Sequence, residues 1–301
     1  MTAPLNRLLV GILPILPKAL VRRFAQRYVA GESAARALAV AAKLNDRGFQ
    51  VTLDILGEHV QTAGGAADVT AAYSHLYGEI AAAGVQANIS LKPTHLGLDL
   101  GTDVCLANLR LVMEAARQQD NFLCLDMESS AQTDDTIRLY RQLHSSYAKV
   151  GLVLQAYLKR SAADLADLMS AALNVRICKG IYREPPEIGL QDRAAVNDNY
   201  TALLRQGFEG GASMAIATHD QKLIKAARRL IDELQVPPSR FEFQVLYGVP
   251  MSGTLERLLA AGYTVRVYLP FGEDWHDYAL RRLKENPAIA GYILKNMLRR
   301  S

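Results

Sequence analysis

No C-x-x-C or H-x-x-x-H spacing occurs in this sequence, and its six histidines are scattered, so nothing in it reads as a metal site. Cysteine is scarce: Cys105, Cys124 and Cys178 lie far apart, each in an apolar run. An odd, dispersed set argues against a disulfide framework and suits small buried hydrophobes in a reducing compartment. Charge of one sign is also lacking, since 34 Lys and Arg against 30 Asp and Glu leave a net +4. That balance is too mild for the basic stripe that neutralises many phosphates, so no nucleic-acid partner is expected. Long apolar runs are few. The stretch Leu8 to Leu16 is about half the length a membrane helix needs, and Pro14 and Pro17 interrupt it. Arg7 precedes it but no small-residue cleavage site follows, which points to a cytoplasmic protein with an apolar N-terminal arm. GxGxxG and GxxxxGK[ST] are missing after every strand-like run, and the glycine cluster Gly207 to Gly211 precedes such a run. A Rossmann reading thereby loses its main support.

What is present is a chain of 301 residues, half of them apolar, long enough for one large domain. Short β-branched, apolar runs recur eight times, each bounded by turn residues and followed by an amphipathic, helix-like segment. They are Val51 to Leu56, Gln86 to Leu91, Phe122 to Met127, Val150 to Gln155, Val175 to Lys179, Met214 to Thr218, Phe241 to Leu246 and Val265 to Leu269. Their spacing of roughly 25 to 40 residues is that of a βα unit. Near-continuous apolar strands imply a parallel sheet covered on both faces, and eight units without a linker favour closure. The predicted fold class is α/β: a (β/α)8 TIM-like barrel with extra N-terminal helices. Residues 1–48 would form a helical arm and residues 49–301 one continuous barrel domain. Lys18 to Ala30 and Glu32 to Arg47 read as helices punctuated by Gly31, expected to cap the N-terminal side of the barrel, and Ala288 to Arg300 as a last short helix.

In such a barrel the C-terminal ends of the strands face the catalytic mouth. Polar residues at those ends are Asp54 and Glu58, Lys92, Asp126 and Glu128, Gln155, Arg176 and Lys179, Thr218 and His219, Gln244 and Tyr247, and Tyr268. Any one of them could be a solvated loop start; their convergence is what argues for a site. Arg176 lies within an apolar strand, so a compensating anion or ligand is expected nearby, and Asp126 could supply the charge.

After the eighth run, Tyr278, Arg281, Arg282 and Glu285 recur at i, i+3, i+4 and i+7 and share one helix face. Trp275, Ala279 and Leu283 form a separate apolar stripe, which leaves the polar face free to turn toward the mouth; Pro287 ends the helix. Two adjacent guanidiniums suit a carboxylate, and Glu285 can hold one of them.

The segment Arg266-Val-Tyr-Leu-Pro-Phe-Gly-Glu-Asp-Trp-His-Asp-Tyr-Ala-Leu-Arg-Arg-Leu-Lys-Glu-Asn286 resembles the C-terminal signature of the proline dehydrogenases. Ser90-Leu-Lys92, Gln155-Ala-Tyr-Leu-Lys-Arg160, Arg176-Ile-Cys-Lys-Gly-Ile-Tyr182, Ala217-Thr-His219 and Phe243-Gln-Val-Leu-Tyr-Gly248 agree in the same order. The resemblance implies a distorted (β/α)8 barrel with non-covalent FAD that oxidises L-proline to 1-pyrroline-5-carboxylate, the first step of proline breakdown, and passes electrons to a membrane quinone. It implies a monofunctional enzyme, with the downstream pyrroline-carboxylate dehydrogenase a separate protein, and peripheral membrane contact through the apolar arm.

By the same resemblance Arg281 and Arg282 bind the proline carboxylate, with Lys92 beside it and Glu285 orienting the pair, while Tyr268 and Tyr278 wall the ring. Asp126, Gln155, Arg176, Lys179, Gly180, Ile181, Thr218 and His219 line the flavin; Asp126 and Arg176 are the catalytic candidates, Arg176 near the redox-active edge. Ile177, Cys178 and Ile181 depart from the Leu, Val and Ala more usual in the family, which changes packing under the flavin ring. Two rival classes remain open to the residues: a Schiff-base lyase or aldolase using Lys92 or Lys179 with a depressed pKa, and a barrel kept as a binding scaffold.

Overall fold

The computed structural model of the chain describes residues 21–22, 25–170, 172–251 and 253–285, with side chains throughout these except at positions 277, 281 and 283–285. Eight parallel strands close on themselves in sequence order, β8 pairing with β1 through Val51↔Val267 and Leu53↔Leu269. The strands are β1 Gln50–Ile55, β2 Ala87–Leu91, β3 Leu123–Leu125, β4 Val150–Gln155, β5 Asn174–Cys178, β6 Ser213–Ala217, β7 Phe241–Leu246 and β8 Val265–Phe271. All eight expected runs are strands, two of them with the expected bounds. β3 is shorter because beyond Asp126, whose N–H still bonds Leu91 O at 2.8 Å, the side chains of Asp126 and Glu128 turn to partners on β8, β5 and the turn after β2. β8 runs on to Phe271 because β1 keeps pairing with it; Pro270, which lacks a donor, lies past the last β7 partner, Leu246↔Tyr268.

The helices are α1 Ala34–Asn45, α2 Ala63–Ala83, α3 Thr102–Gln118, α4 Thr133–His144, α5 Ser161–Leu168, α6 Arg193–Glu209, α7 Gln221–Glu233, α8 Thr254–Ala260 and α9 Trp275–Glu285. Helix α7 shows why they form the outer layer: Leu223, Ile224, Ala227, Leu230 and Ile231 make one buried stripe at helical spacing, and Asp220 caps it by accepting from Lys222 N at 2.9 Å.

The N-terminal residues lie elsewhere than expected. Residues 25–31 cross the C-terminal ends of β7 and β8: Ala30 N donates to Pro270 O at 2.9 Å, Gly272 N to Gly31 O at 3.0 Å, and Arg27 Nε to Gly248 O at 3.2 Å. Gly248, at φ +78°, has no room for a side chain, since a Cβ there would fall 1.8 Å from Arg27 O. From this rim α1 runs back down the outside wall, packed on β1 and β8 with Ala37 and Ala41 fully buried. It does not cap the N-terminal side; it covers the groove that a last crossover helix would otherwise fill. Helix α9 is thereby left at the mouth, where Tyr278 and Ala279 pack with Val21, Ala25, Tyr28, Val29 and Leu56. Ala288 to Arg300, and positions 18–20 and 23–24 of the run Lys18 to Ala30, lie outside the described residues.

Small residues let α1 approach the sheet closely, and this contact yields a test. Ala41→Leu should destabilise the fold by about 1–3 kcal/mol through overpacking. Urea unfolding would measure it, and an unchanged midpoint would contradict close packing of α1 on β1 and β8.

Candidate active site

In β1, β2, β3 and β5 the residues alternate, and the alternation divides them. Val51 and Leu53, Ile89 and Leu91, Leu123 and Leu125, and Val175 and Ile177 are buried under the helices. The residues between them are polar: Thr52 and Asp54, Asn88 and Ser90, Cys124 and Asp126, and Arg176. Contacts between non-neighbouring strands show that this second set fills the barrel interior. Arg176 on β5 reaches Ser90 on β2 at 2.7 Å, Gln244 on β7 at 3.3 Å and Asp126 just past β3; Tyr268 on β8 donates to Asp126 Oδ2 at 2.7 Å. Such distances are available only across the lumen.

Lys92 sits one residue past β2, its ammonium 3.2 Å from Asp54 Oδ2. Burial pulls its pKa down, but the carboxylates of Asp54, Asp126 and Glu128 outweigh that and hold it above the ordinary lysine value. Lys92 therefore stays charged. A Schiff-base lysine needs the opposite, a neutral amine, so that chemistry is lost here, and Lys179 is itself engaged with Asp220 at 2.7 Å. Asp54 is backed by a residue from outside the strands: Tyr73 of α2 donates to its Oδ1 at 3.4 Å and to Ile55 O at 3.1 Å.

The guanidinium of Arg176 is held on three sides. Asp126 and Ser90 take one edge, Gln244 the other, and its Cζ lies 5.2 Å from the centre of the Tyr268 ring. Burial, then the adjacent Asp126 charge, push the Tyr268 hydroxyl well above its usual pKa, so it remains a neutral donor.

A second group lies at the ends of β5 and β6. Lys179 pairs with Asp220, which also caps α7, and Thr218 Oγ1 accepts from Asp220 N at 3.1 Å. His219 Nε2 accepts from Leu246 N at 2.9 Å, which leaves Nδ1 to carry the ring proton; burial and nearby Arg282 lower its pKa to about 4. Gly180 is conformationally required here: its φ is +97°, and a Cβ would collide with the Tyr157 ring at 2.0 Å. Ile181, next along, is 59% exposed. Gln155 is buried and donates to Glu128 O at 2.7 Å. Glu128 in turn accepts from Thr94 N at 3.0 Å and Thr94 Oγ1 at 2.5 Å, while burial raises its pKa.

Thus Lys92, Asp126, Arg176 and Tyr268 converge in one network, and Gln155, Lys179, Gly180, Ile181, Thr218 and His219 lie at or just past the C-terminal ends of β4, β5 and β6. Helix α9 carries Tyr278, Arg281, Arg282 and Glu285, but the side chains of Arg281 and Glu285 lie outside the described residues. Tyr278 is buried with Ala279, not set apart from it on a polar face, and the Arg282 guanidinium lies 5.2 Å from the Tyr278 ring. Sequence reasoning missed Ser90 as a partner of Arg176, Tyr73 behind Asp54, Thr94 as the seat of Glu128, and Glu242 and Arg266 deeper in the lumen. The period-two polar face of β2, β7 and β8 was the signal that could have found all but Tyr73 and Thr94.

An eight-stranded barrel that gathers paired charges at the C-terminal ends of its strands is the architecture of a (β/α)8 enzyme. The family model described as proline dehydrogenase matches residues 37–294. Proline dehydrogenase 1 of Bacillus subtilis subsp. natto is 35% identical over 92% of this chain and 91% of its own. Proline dehydrogenase of Deinococcus radiodurans is 36% identical over 91% of this chain and 90% of its own. PutA from Bdellovibrio bacteriovorus, inactivated by N-propargylglycine, superposes with a TM-score of 0.82 at 26% identity over 88% of this chain; the chain spans 33% of that protein. The chain belongs to the proline dehydrogenase family, of the monofunctional bacterial type, whose reaction is the first step of proline catabolism.

Two measurements probe this site. Asp126→Ala leaves Arg176 buried beside an empty place and should cost about 3–5 kcal/mol in urea unfolding; a loss below 1 kcal/mol would mean that solvent or another anion already balances Arg176. The second concerns the loop after β1, where His59 Nδ1 meets Asp99 Oδ2 at 2.6 Å and His59 N donates to Thr94 Oγ1. The Asp99 hydrogen bond raises the His59 pKa above 6.5. The pair therefore contributes fully below the unfolded pKa and is lost as pH rises through the raised folded value. Asp99→Asn should move the His59 NMR titration midpoint down, and an unmoved midpoint would refute the pairing.

Proposed function

We propose that this enzyme oxidises L-proline to 1-pyrroline-5-carboxylate, with a non-covalently held FAD as hydride acceptor and a quinone as the acceptor beyond it. The observation that carries the reading is the convergence of Lys92, Asp126, Arg176 and Tyr268, residues of three separate family motifs and of the segment just past β3, in one buried network at the mouth. The neighbouring residues fit a flavin. Exposed Ile181 offers an apolar face beside the Gly180 turn, and Arg176 and Lys179 bring positive charge to a site where the reduced ring is anionic. When bound, FAD supplies the redox chemistry.

The protein's part is to bind and orient. Arg281 and Arg282 on α9 grip the substrate carboxylate as a two-point clamp, Lys92 stands beside it, and Glu285 orients the pair. Tyr268 and Tyr278 wall the ring, so binding energy becomes orientation of the reacting carbon. Packing of α9 against Val21, Ala25, Tyr28 and Val29 keeps water from that side of the mouth. Among the described residues no helix is long and apolar enough to cross a membrane; the apolar run Leu8 to Leu16 is the segment we assign to peripheral contact with the quinone-bearing membrane. We also assign residues 1–48 to an arm and 49–301 to one catalytic barrel.

The protein should be yellow when purified and should bleach when L-proline is added without oxygen, measured by absorbance. A colourless protein that takes up no flavin would overturn the reading and favour a binding scaffold. Arg281→Ala and Arg282→Ala should each raise the apparent KM for proline about tenfold or more, the loss expected for a charge-assisted hydrogen bond, with the yellow colour retained. Saturation at wild-type concentrations in both would refute the clamp.

A further inference from the structure

Beneath Arg176 the lumen holds a second layer that the proposed reaction does not use. Gln244 Nε2 donates to Glu242 Oε1 at 2.6 Å, and Arg266 Nε donates to the same oxygen at 2.8 Å. Arg266 Nη1 also donates to Val51 O at 2.9 Å, and its Nη2 meets Gln50. The register explains the arrangement: Gln244 lies opposite Arg266 across β7 and β8, and Gln50 lies opposite Arg266 across β1 and β8. Among the described residues the lumen thus contains three cation–carboxylate pairs, Lys92 with Asp54, Arg176 with Asp126 and Arg266 with Glu242. Gln244 joins the second pair to the third.

An amide has two ends, and nothing in Gln244 itself decides which end faces Arg176. A guanidinium can only donate, so the oxygen must face it; the NH2 end would meet it donor to donor. A carboxylate can only accept. With Glu242 behind it, Gln244 must turn its NH2 downward and its oxygen upward. We propose that Glu242 is a positioning residue for the reaction: held by Arg266, it anchors the NH2 end of the Gln244 amide in the sense that Arg176 also requires, and so holds Gln244 in place as the acceptor on the second edge of Arg176. This rests on the flavin-dependent reading, in which Arg176 lies beside the flavin. Glu242 itself touches neither substrate nor cofactor. Its influence passes through two hydrogen bonds, and loss of the second frees the Arg176 guanidinium to swing on its Asp126 and Ser90 contacts.

The alternative is that Glu242 serves only as the counter-ion of Arg266. Exchanging the two side chains separates these roles. In Gln244→Glu two carboxyls stand where a hydrogen bond of 2.6 Å now lies, flanked by Arg266 on β8, Arg176 on β5 and Asp126 past β3. At low pH the two carboxyls share a proton and mimic the amide; as pH rises and that proton leaves, repulsion breaks the link. In the exchange variant Glu242→Gln/Gln244→Glu, the new carboxylate accepts from Arg176 and from the new amide, whose oxygen accepts from Arg266. Net charge and hydrogen-bond count are unchanged, but Arg266 has lost its carboxylate.

The experiment follows the flavin absorption spectrum, its reduction potential and kcat/KM for proline against pH in wild type and both variants. In Gln244→Glu we expect a pH step absent from wild type, above which the potential falls and kcat/KM drops about tenfold or more, the size expected for one hydrogen bond to a charged group. The exchange variant should abolish the step and restore both quantities. The proposal is overturned if Gln244→Glu follows the wild-type profile, or if the exchange variant is as impaired as Gln244→Glu, since the counter-ion of Arg266 would then be what matters. A wild-type protein without flavin would instead overturn the reading beneath it, and the two failures are told apart in the wild-type spectrum.

Discussion

A guanidinium buried inside a parallel barrel loses its hydration, and that loss costs several kcal/mol unless fixed partners replace the water. Arg176 is such a group, and the polar contents of the lumen are arranged around it. Asp126 neutralises it, Ser90 and Gln244 complete its donors, and Tyr268 lies against its face while bonding the same carboxylate. Because these partners come from strands on opposite sides, satisfying one side chain ties together the end of β3 with β2, β5, β7 and β8. A barrel with an apolar lumen would be held by packing alone. This one is also braced by charge, and the bracing leaves its cations aimed and charged at the open end.

The wall of the barrel has a comparable economy. Helix α1, which precedes β1, lies over β1 and β8, and this substitution releases α9 from the outer layer. Helix α9 can then pack on Val21, Ala25, Tyr28, Val29 and Leu56 at the mouth, with Arg282 close enough to His219 to add to the lowering of its pKa by burial. The site is therefore assembled from both ends of the chain. Neither end has a reason to be there until the other has packed.

Similarity to proline dehydrogenases extends over nine-tenths of the chain, yet the geometry adds something a motif does not contain. Motifs name residues one strand at a time. Lys92 keeps its charge because Asp54, Asp126 and Glu128 surround it, and those three stand at the ends of β1 and β3. That single electrostatic fact separates a charged binding group from a Schiff-base nucleophile on the same fold, and no local pattern around Lys92 carries it.

Strand order, strand number and βα alternation were legible in the sequence, because a buried parallel strand must be apolar, short and β-branched, and those demands are local. Bounds were less legible where long-range partners decide them: β3 stops early for Asp126 and Glu128, and β8 continues past Pro270 because β1 runs beside it. Most strand-end site residues could also be read, since a polar residue in an apolar run stands out. Tyr73 and Thr94 could not, because a tyrosine on a helix and a threonine in a turn look ordinary until Asp54 and Glu128 are beside them. The place of α1 was misread for the same reason: an amphipathic helix shows which face it buries, but not against what. By itself the sequence determined the fold class and the family, through periodicity and motif order. Only the tertiary structure decided which charges pair, which helix lies at the mouth and which way the Gln244 amide points, because each depends on groups brought together across the lumen by closure of the barrel.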